Sequence, residues 1–313
     1  MGRGLRRWLG AVFGLAVTAS LLVAAPGPAS GGGRVVKGIS YVAGSDSAGH
    51  LLDLYLPARG ERPAPLIVWS HGSGWMAENG RDGADIVARA VNPHGYAVAG
   101  VAIRSSAQTQ FPGQLDDVTA AVRFLKANSA RFNLDPARIA FMGESSGGWA
   151  AAMAAVTGTV RAAVAFYPPT DFLRMDETMV DACRSFNEAF GLADCHADPR
   201  SPESRLLGRP IRERPDLVAE ASPMSYVSAR TPPLLILHGQ LDTLVPWQQG
   251  QLLYDAAPDA TLVLLPNGSH GPWNHFLTDP ATMAGAHELS TGGDRPVTLS
   301  WDYVIRFLDR NLG

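Results

Sequence analysis

The chain has 313 residues, of which 46% are hydrophobic and 18% charged, enough apolar material for a large core and too little charge for a disordered polymer. Lys and Arg number 26 against 29 Asp and Glu, a net charge of −3, and no basic block of five or more occurs. The electrostatic footprint of a nucleic-acid binder is therefore missing, and no nucleic-acid partner is expected.

Arg3, Arg6 and Arg7 precede a nearly unbroken apolar run from Trp8 to Ala25, which gives way to the small-residue stretch Ala24 to Ser30. A positive start, an apolar middle and a small-residue exit predict a secretory signal peptide over residues 1–30; an uncleaved membrane anchor is the alternative. No cysteine follows that would carry a lipid. Cleavage would leave a secreted, extracellular product more acidic than the full chain, without stable membrane association.

Residues 34–313 read as one domain. Gly38 to Val42 and Leu51 to Leu56 form an expected leading hairpin. Six continuous apolar runs then follow as core strands: Leu66 to Trp69, Tyr96 to Ile103, Ile139 to Met142, Ala162 to Tyr167, Leu234 to Leu237 and Leu262 to Leu265. Strands that are apolar throughout are expected where helices cover both faces of a parallel sheet. Helical spacing appears between them at Leu115, Val118, Val122 and Leu125, in the Ala-rich stretch Ala150 to Val156, and in the closing segment Trp301 to Asn311. The expected architecture is α/β, a mostly parallel eight-stranded sheet with helices on both faces.

The alternation breaks between Asp171 and Pro232, where Arg, Pro and Ser are frequent and no strand is evident. Residues 171–232 read as a cap-like insertion after the sixth strand, in a position where irregular segments commonly bind ligands. Both cysteines, Cys183 and Cys195, lie in it. In an exported chain they are expected to form a disulfide, worth about 3 kcal/mol in a chain-entropy model. A metal site would need two further ligands, and only His196 lies beside them.

After the strand ending at Met142 comes Gly143-Glu144-Ser145-Ser146-Gly147-Gly148 and then the Ala-rich helix. This is G-x-S-x-G between a buried strand and a helix, the setting in which a sharp turn exposes a nucleophilic serine at a helix N-terminus. A hydroxyl needs a base, and the base a carboxylate. Asp242 follows Leu234 to Leu237, and His270 follows Leu262 to Leu265, giving the chain order Ser145, Asp242, His270. Asp171 competes as the acid; His238 and His275 compete as the base. His71-Gly72-Ser73-Gly74-Trp75 occupies the place of an oxyanion loop, so the N–H groups of Ser73, Gly74 and Ser146 are the expected oxyanion donors. No metal-ligand cluster and no dinucleotide fingerprint is present, so no metal or other cofactor is expected.

With these residues in view, residues 34–313 resemble the α/β-hydrolase superfamily, and within it secreted bacterial esterases of the carboxylesterase, hormone-sensitive-lipase-like and feruloyl-esterase-like branches. The matching pieces are HGSGW at His71 to Trp75, LDPARIAFMGESSGG at Leu134 to Gly148, SPESRLLG at Ser201 to Gly208, HGQLDTLVP at His238 to Pro246 and the Ser269-His270-Gly271 loop. The resemblance implies Ser145 as nucleophile, Asp242 as acid and His270 as base. Ser73 departs from the glycine usual in that loop.

Trp75 and Trp273, beside the oxyanion loop and the histidine, are the candidates for stacking on an aryl acyl group or a sugar ring. The expected activity is that of a serine carboxylesterase acting through an acyl-enzyme on small-molecule or polysaccharide esters with short-chain or carbohydrate-linked groups. A serine peptidase of the oligopeptidase-like type and a non-catalytic secreted binding protein are the alternatives. The sequence leaves the oligomeric state open.

Overall fold

A computed structural model describes residues 33–313 except Arg59 and Glu61. The expected signal peptide lies outside the described residues. Among them, no helix is long and apolar enough to cross a membrane.

The strands are β1 (Arg34–Ser40), β2 (Leu51–Leu56), β3 (Ala64–Ser70), β4 (Ala97–Val101), β5 (Leu134–Glu144), β6 (Ala162–Phe166), β7 (Leu234–Gly239), β8 (Ala260–Leu265), β9 (His287–Ser290) and β10 (Gly293–Pro296). They form a single sheet in the order β1-β2-β4-β3-β5-β6-β7-β8-β9-β10. From β4 through β8 every pairing is parallel; β1, β2, β9 and β10 join antiparallel at the two edges.

The sheet is α/β as expected, but it has ten strands rather than eight. The additional pair is β9 and β10, whose sequences HELS and GDRP are polar and whose outer member is exposed along its length. Polar edge strands bury little and carry no apolar run; charge at an edge also discourages pairing with another chain. The pair is tied to the core through Glu288, which accepts hydrogen bonds from Arg295 and from the Tyr303 hydroxyl at 2.8 Å each.

The central strands are apolar on both faces because each face has its own core. On β3, Leu66 and Val68 point into one cluster and Ile67 and Trp69 into the other; on β5, Ile139 and Phe141 oppose Ala140 and Met142. The first cluster includes Val118, Val122 and Leu125 of the helix Gly113–Ala127 and the fully buried helix Ser146–Val156. The second takes the helix Ala84–Val91 and the closing helix Trp301–Leu312, which buries Val304, Ile305, Leu308 and Leu312 at helical spacing.

Because β3 is followed by β4 on one side and β5 by β6 on the other, the connections after β3 and β5 diverge. A crevice opens there at the strands' C-terminal ends, where open α/β sheets bind ligands. The loop His71 to Trp75 and the turn that carries Ser145 leave from these two strands.

Between β6 and β7 the chain forms only short helical pieces, including Arg184–Phe190, Pro202–Leu207 and Pro215–Ala221. Cys183 and Cys195 are joined by a disulfide, with Cα atoms 5.5 Å apart. The segment is anchored where Gln249 Oε1 accepts the N–H groups of Thr170 and Asp171 at 2.8 and 2.7 Å, and where Trp149 Nε1 donates to the Ala221 carbonyl at 2.7 Å.

Candidate active site

Ser145 sits between β5 and the helix Ser146–Val156 with φ 55° and ψ −122°. This is a conformation that L-residues rarely hold unless the surroundings impose it. Here the imposition is close packing. A side chain at Gly147 would run into the Ser70 carbonyl of β3, and one at Gly143 into the Gly147 carbonyl. Only glycine lets the turn close this tightly against the neighbouring strand.

The turn and the His71–Trp75 loop are bonded on both sides of Ser145. Glu144 Oε1 accepts the Gly72 N–H at 2.5 Å and lies 3.3 Å from His71 Nδ1. Ser146 Oγ accepts the Ser73 N–H at 2.9 Å. Two consecutive amides of the loop are thus held by the residues flanking the serine.

Of the three expected oxyanion donors, the Ser73 N–H is bonded to Ser146 Oγ. The N–H groups of Gly74 and Ser146 have no hydrogen-bond partner among the described residues. Ser146 N is also the first amide of its helix, where the dipole favours negative charge.

The three residues expected to act together meet. His270 Nε2 is 3.0 Å from Ser145 Oγ, and His270 Nδ1 is 2.8 and 3.0 Å from the two carboxylate oxygens of Asp242. Asp242 is fully buried, and its Oδ1 also accepts the N–H groups of Leu244 and Val245 at 2.9 Å each. Burial would raise this carboxyl, but the imidazoles of His270 and His238 outweigh it and hold Asp242 below the ordinary carboxylate value. For His270, burial opposes charging; the Asp242 carboxylate, with a smaller contribution from Glu144, overcomes it and raises the imidazole above its ordinary value. The resulting geometry can take a proton from Ser145 and stabilise the imidazolium that forms.

The competing residues are placed elsewhere. His238 is buried, with Nε2 2.9 Å from the Val245 carbonyl and 3.6 Å from Asp242, behind the carboxylate. His275 is exposed at the start of a short helix. Asp171 precedes a 3₁₀ segment, its N–H held by Gln249.

A pocket of about 650 Å³ opens over Ser145 and His270. Trp75 and Trp273 both line it, each with little of its surface exposed. Trp75 is only 2% exposed, its backbone at φ 56° turning the ring between Trp149 and Phe172, each 5.5 Å away. Trp273, 5% exposed, lies 4.5 Å from Trp69 and 5.7 Å from Phe166. Residues not singled out by sequence also line the pocket, among them Tyr167, Phe186, Phe190 and Glu203. Tyr167 packs 4.6 Å from the His270 ring; burial, with Glu144 and Asp242 nearby, pushes its hydroxyl well above the ordinary phenol value, so it stays neutral. Its position at the end of an apolar strand, facing the same edge as Ser145, was the available signal. Phe186, Phe190 and Glu203 come from the segment between β6 and β7 and carried none beyond the SPESRLLG motif.

Asp176, Cys195 and His196 lie close enough together to resemble a metal site, but the Cys195 sulfur is committed to the disulfide, and the remaining pair is too few for an ion.

Comparison with known proteins agrees with this architecture. Esterase LipQ of Mycobacterium tuberculosis (strain ATCC 25618 / H37Rv) is 27% identical over 228 residues, 67% of this chain and 50% of LipQ. Esterase LipC of the same organism is 24% identical over 241 residues, 72% of this chain and 58% of LipC. The chain thus spans little more than half the length of these relatives. The solved structure of a truncated form of a carbohydrate esterase from gut microbiota superposes with a TM-score of 0.70 at 26% identity, covering 91% of this chain and 99% of that one. The BD-FAE family model matches residues 52–257, a span that takes in Ser145 and Asp242 and stops short of His270. The fold, the esterase relatives and the extent of that match together make this chain a member of the BD-FAE family of α/β-hydrolases.

Proposed function

We propose that the protein is a serine ester hydrolase, with Ser145 as nucleophile, His270 as general base and then acid, and Asp242 as the carboxylate that orients and supports the histidine. The observation that carries this reading is the unbroken chain of contacts from a fully buried Asp242 through His270 to Ser145 Oγ at 3.0 Å. Ser145 Oγ attacks the ester carbonyl while its proton passes to His270 Nε2. The oxyanion is received by the N–H groups of Gly74 and Ser146, and the alcohol leaves with the proton from His270. Water, deprotonated by His270, then releases the acid from the acyl-enzyme and restores Ser145. Donors fixed before the reaction need no reorganisation as charge develops, which makes them effective.

Carbohydrate-linked esters are the substrates best supported, because the carbohydrate esterase matches nearly end to end. The disulfide and the leader-like N-terminal sequence support an exported protein. The test is release of p-nitrophenol from its acetyl ester: Ser145→Ala lowers kcat by about 10⁴-fold or more with circular dichroism unchanged, and phenylmethylsulfonyl fluoride labels the peptide containing Ser145. Turnover retained in that variant would remove Ser145 from the role.

A further inference from the structure

We propose that Glu144 is a positioning residue of the reaction: its carboxylate holds the His71–Trp75 loop so that the Gly74 N–H meets the oxyanion, and it supplies a second anion, besides Asp242, near the ring of His270. The inference rests on the ester-hydrolase reading of the Ser145 site and adds to it a residue that acts through others rather than on the substrate.

Glu144 is the last residue of β5, immediately before Ser145, and it is buried. Its Oε1 accepts the Gly72 N–H. Loop and turn are in direct contact there: a side chain on Gly72 would stand 2.6 Å from both the Glu144 carbonyl and Ser145 Cβ, and 2.9 Å from Glu144 Oε1. The next amide, that of Ser73, is held by Ser146 Oγ. With these two amides anchored on either side of Ser145, the third, that of Gly74, has no partner among the described residues and takes its direction from the two before it.

On its other side Glu144 faces the base. The Tyr167 hydroxyl lies against the Glu144 carboxylate, and the Tyr167 ring packs 4.6 Å from that of His270. The same hydroxyl would stand 3.6 Å from a side chain on Gly271, the residue after His270. Charged or titratable groups face His270 from three elements: Asp242 from the loop after β7, with His238 behind it, Glu144 from β5, and Tyr167, which stays neutral, from the end of β6. When His270 takes the proton of Ser145, Glu144 is the anion other than Asp242 that favours the charged ring.

A purely structural tie would not need a carboxylate. The side-chain amide of a glutamine has the same shape and would accept the Gly72 N–H without the cost of burying a charge. A charge kept in this place is therefore expected to act on something that becomes positive, and His270 is the group nearby that does. Among the described residues, neither Ser145 Oγ nor His270 is hydrogen-bonded to Glu144. Glu144 moves no proton itself.

The experiment measures kcat and KM for p-nitrophenyl acetate across the acid limb of the pH profile in Glu144→Gln and Glu144→Asp. Glu144→Gln keeps the shape and the acceptor but loses the charge. Its acid limb is expected to move down by about 0.5 in pH, less than the 1–3 of a charge in direct contact. Its kcat should fall by about tenfold, short of the 10²- to 10³-fold lost with an oxyanion donor, with KM within about twofold of wild type. Glu144→Asp keeps the charge and loses the reach, so its limb should stay in place while kcat falls. A Glu144→Gln variant with an unmoved limb, or with the kcat of the wild type, overturns the proposal. So does a loss as large as that of Ser145→Ala, which would put Glu144 on the reacting atoms. A wild type that leaves p-nitrophenyl acetate intact would instead remove the ester-hydrolase reading beneath it. Should Glu144→Gln fail to fold by circular dichroism, Tyr167→Phe decides: it keeps the ring against His270 and takes a donor from Glu144, so kcat should fall by about threefold, and an unchanged kcat overturns the proposal.

Discussion

The loops after β3, β5, β7 and β8 and the segment between β6 and β7 both line the pocket, but they are held by different means. The loops are extensions of buried parallel strands, and their geometry is fixed by main-chain packing: Ser145 sits at positive φ because Gly143 and Gly147 allow no other fit. The segment between β6 and β7 has no helix longer than seven residues. It relies on a disulfide and a few long-range hydrogen bonds. The difference separates loops fixed by the sheet from a strap laid over them. Perturbing one should leave the other measurably intact.

The largest effect is expected at Asp242. Asp242→Asn leaves the shape nearly unchanged but removes the anion that supports His270, and kcat/KM should drop by about 10⁴-fold, as for the equivalent change in serine-protease triads. The pH profile gives a second readout. His270 must be neutral to act as base, so activity is lost as pH falls through its pKa. In the wild type that limb lies above the ordinary histidine value of 6.5, because Asp242 favours the charged ring. In Asp242→Asn the burial that disfavours charge remains while the opposing anion is gone, so the limb moves down. A residual activity whose acid limb stays in place would show that Asp242 does not set the base.

A smaller loss is expected at Ser146. Its hydroxyl holds the Ser73 N–H, while its own N–H is proposed to face the oxyanion. Ser146→Ala keeps that N–H and releases the loop, so kcat should fall by about tenfold, less than the 10²- to 10³-fold typical of losing a donor outright. Measured with p-nitrophenyl acetate, a loss of 10³-fold would mean that the hydroxyl itself contacts the reacting atoms.

The same contrast explains what could be read from sequence. Ser145, Asp242 and His270 stand at the ends of apolar strands beside glycine-rich turns, and each lies within a few residues of the feature that positions it. Strand positions from β3 through β8 were legible for the same reason, since a strand buried on both faces announces itself as an apolar run; β1, expected at Gly38 to Val42, runs over Arg34–Ser40 and is largely exposed. β9 and β10 carry no such run, being polar and held by pairing and by Glu288 rather than by burial. How much of the Trp75 ring reaches the pocket was not legible, because nearness in sequence to the His71–Trp75 loop says nothing about its packing against Trp149 and Phe172. The occupied N–H of Ser73 was hidden because its acceptor, Ser146, lies 73 residues away. Glu203 needed the folded chain: only there does Pro202 meet Gly74 and bring a carboxylate to the pocket.

Reducing Cys183–Cys195 tests the division with the smallest expected effect on basic turnover. Cys195 immediately precedes His196, so the bridge fixes the backbone of the residue beside Glu203. Opening it releases a constraint worth about 3 kcal/mol on the chain-entropy view, which at roughly 2–4 °C per kcal/mol lowers Tm by about 6–12 °C for a domain of this order of size. Ser145, Asp242 and His270 share no element with the bridge, so hydrolysis of p-nitrophenyl acetate well below Tm should change by less than about twofold. A much larger loss after reduction would mean that the strap also holds these loops in place, through Pro202 on Gly74 and Ala221 on Trp149, and the two regions would then have to be treated as one.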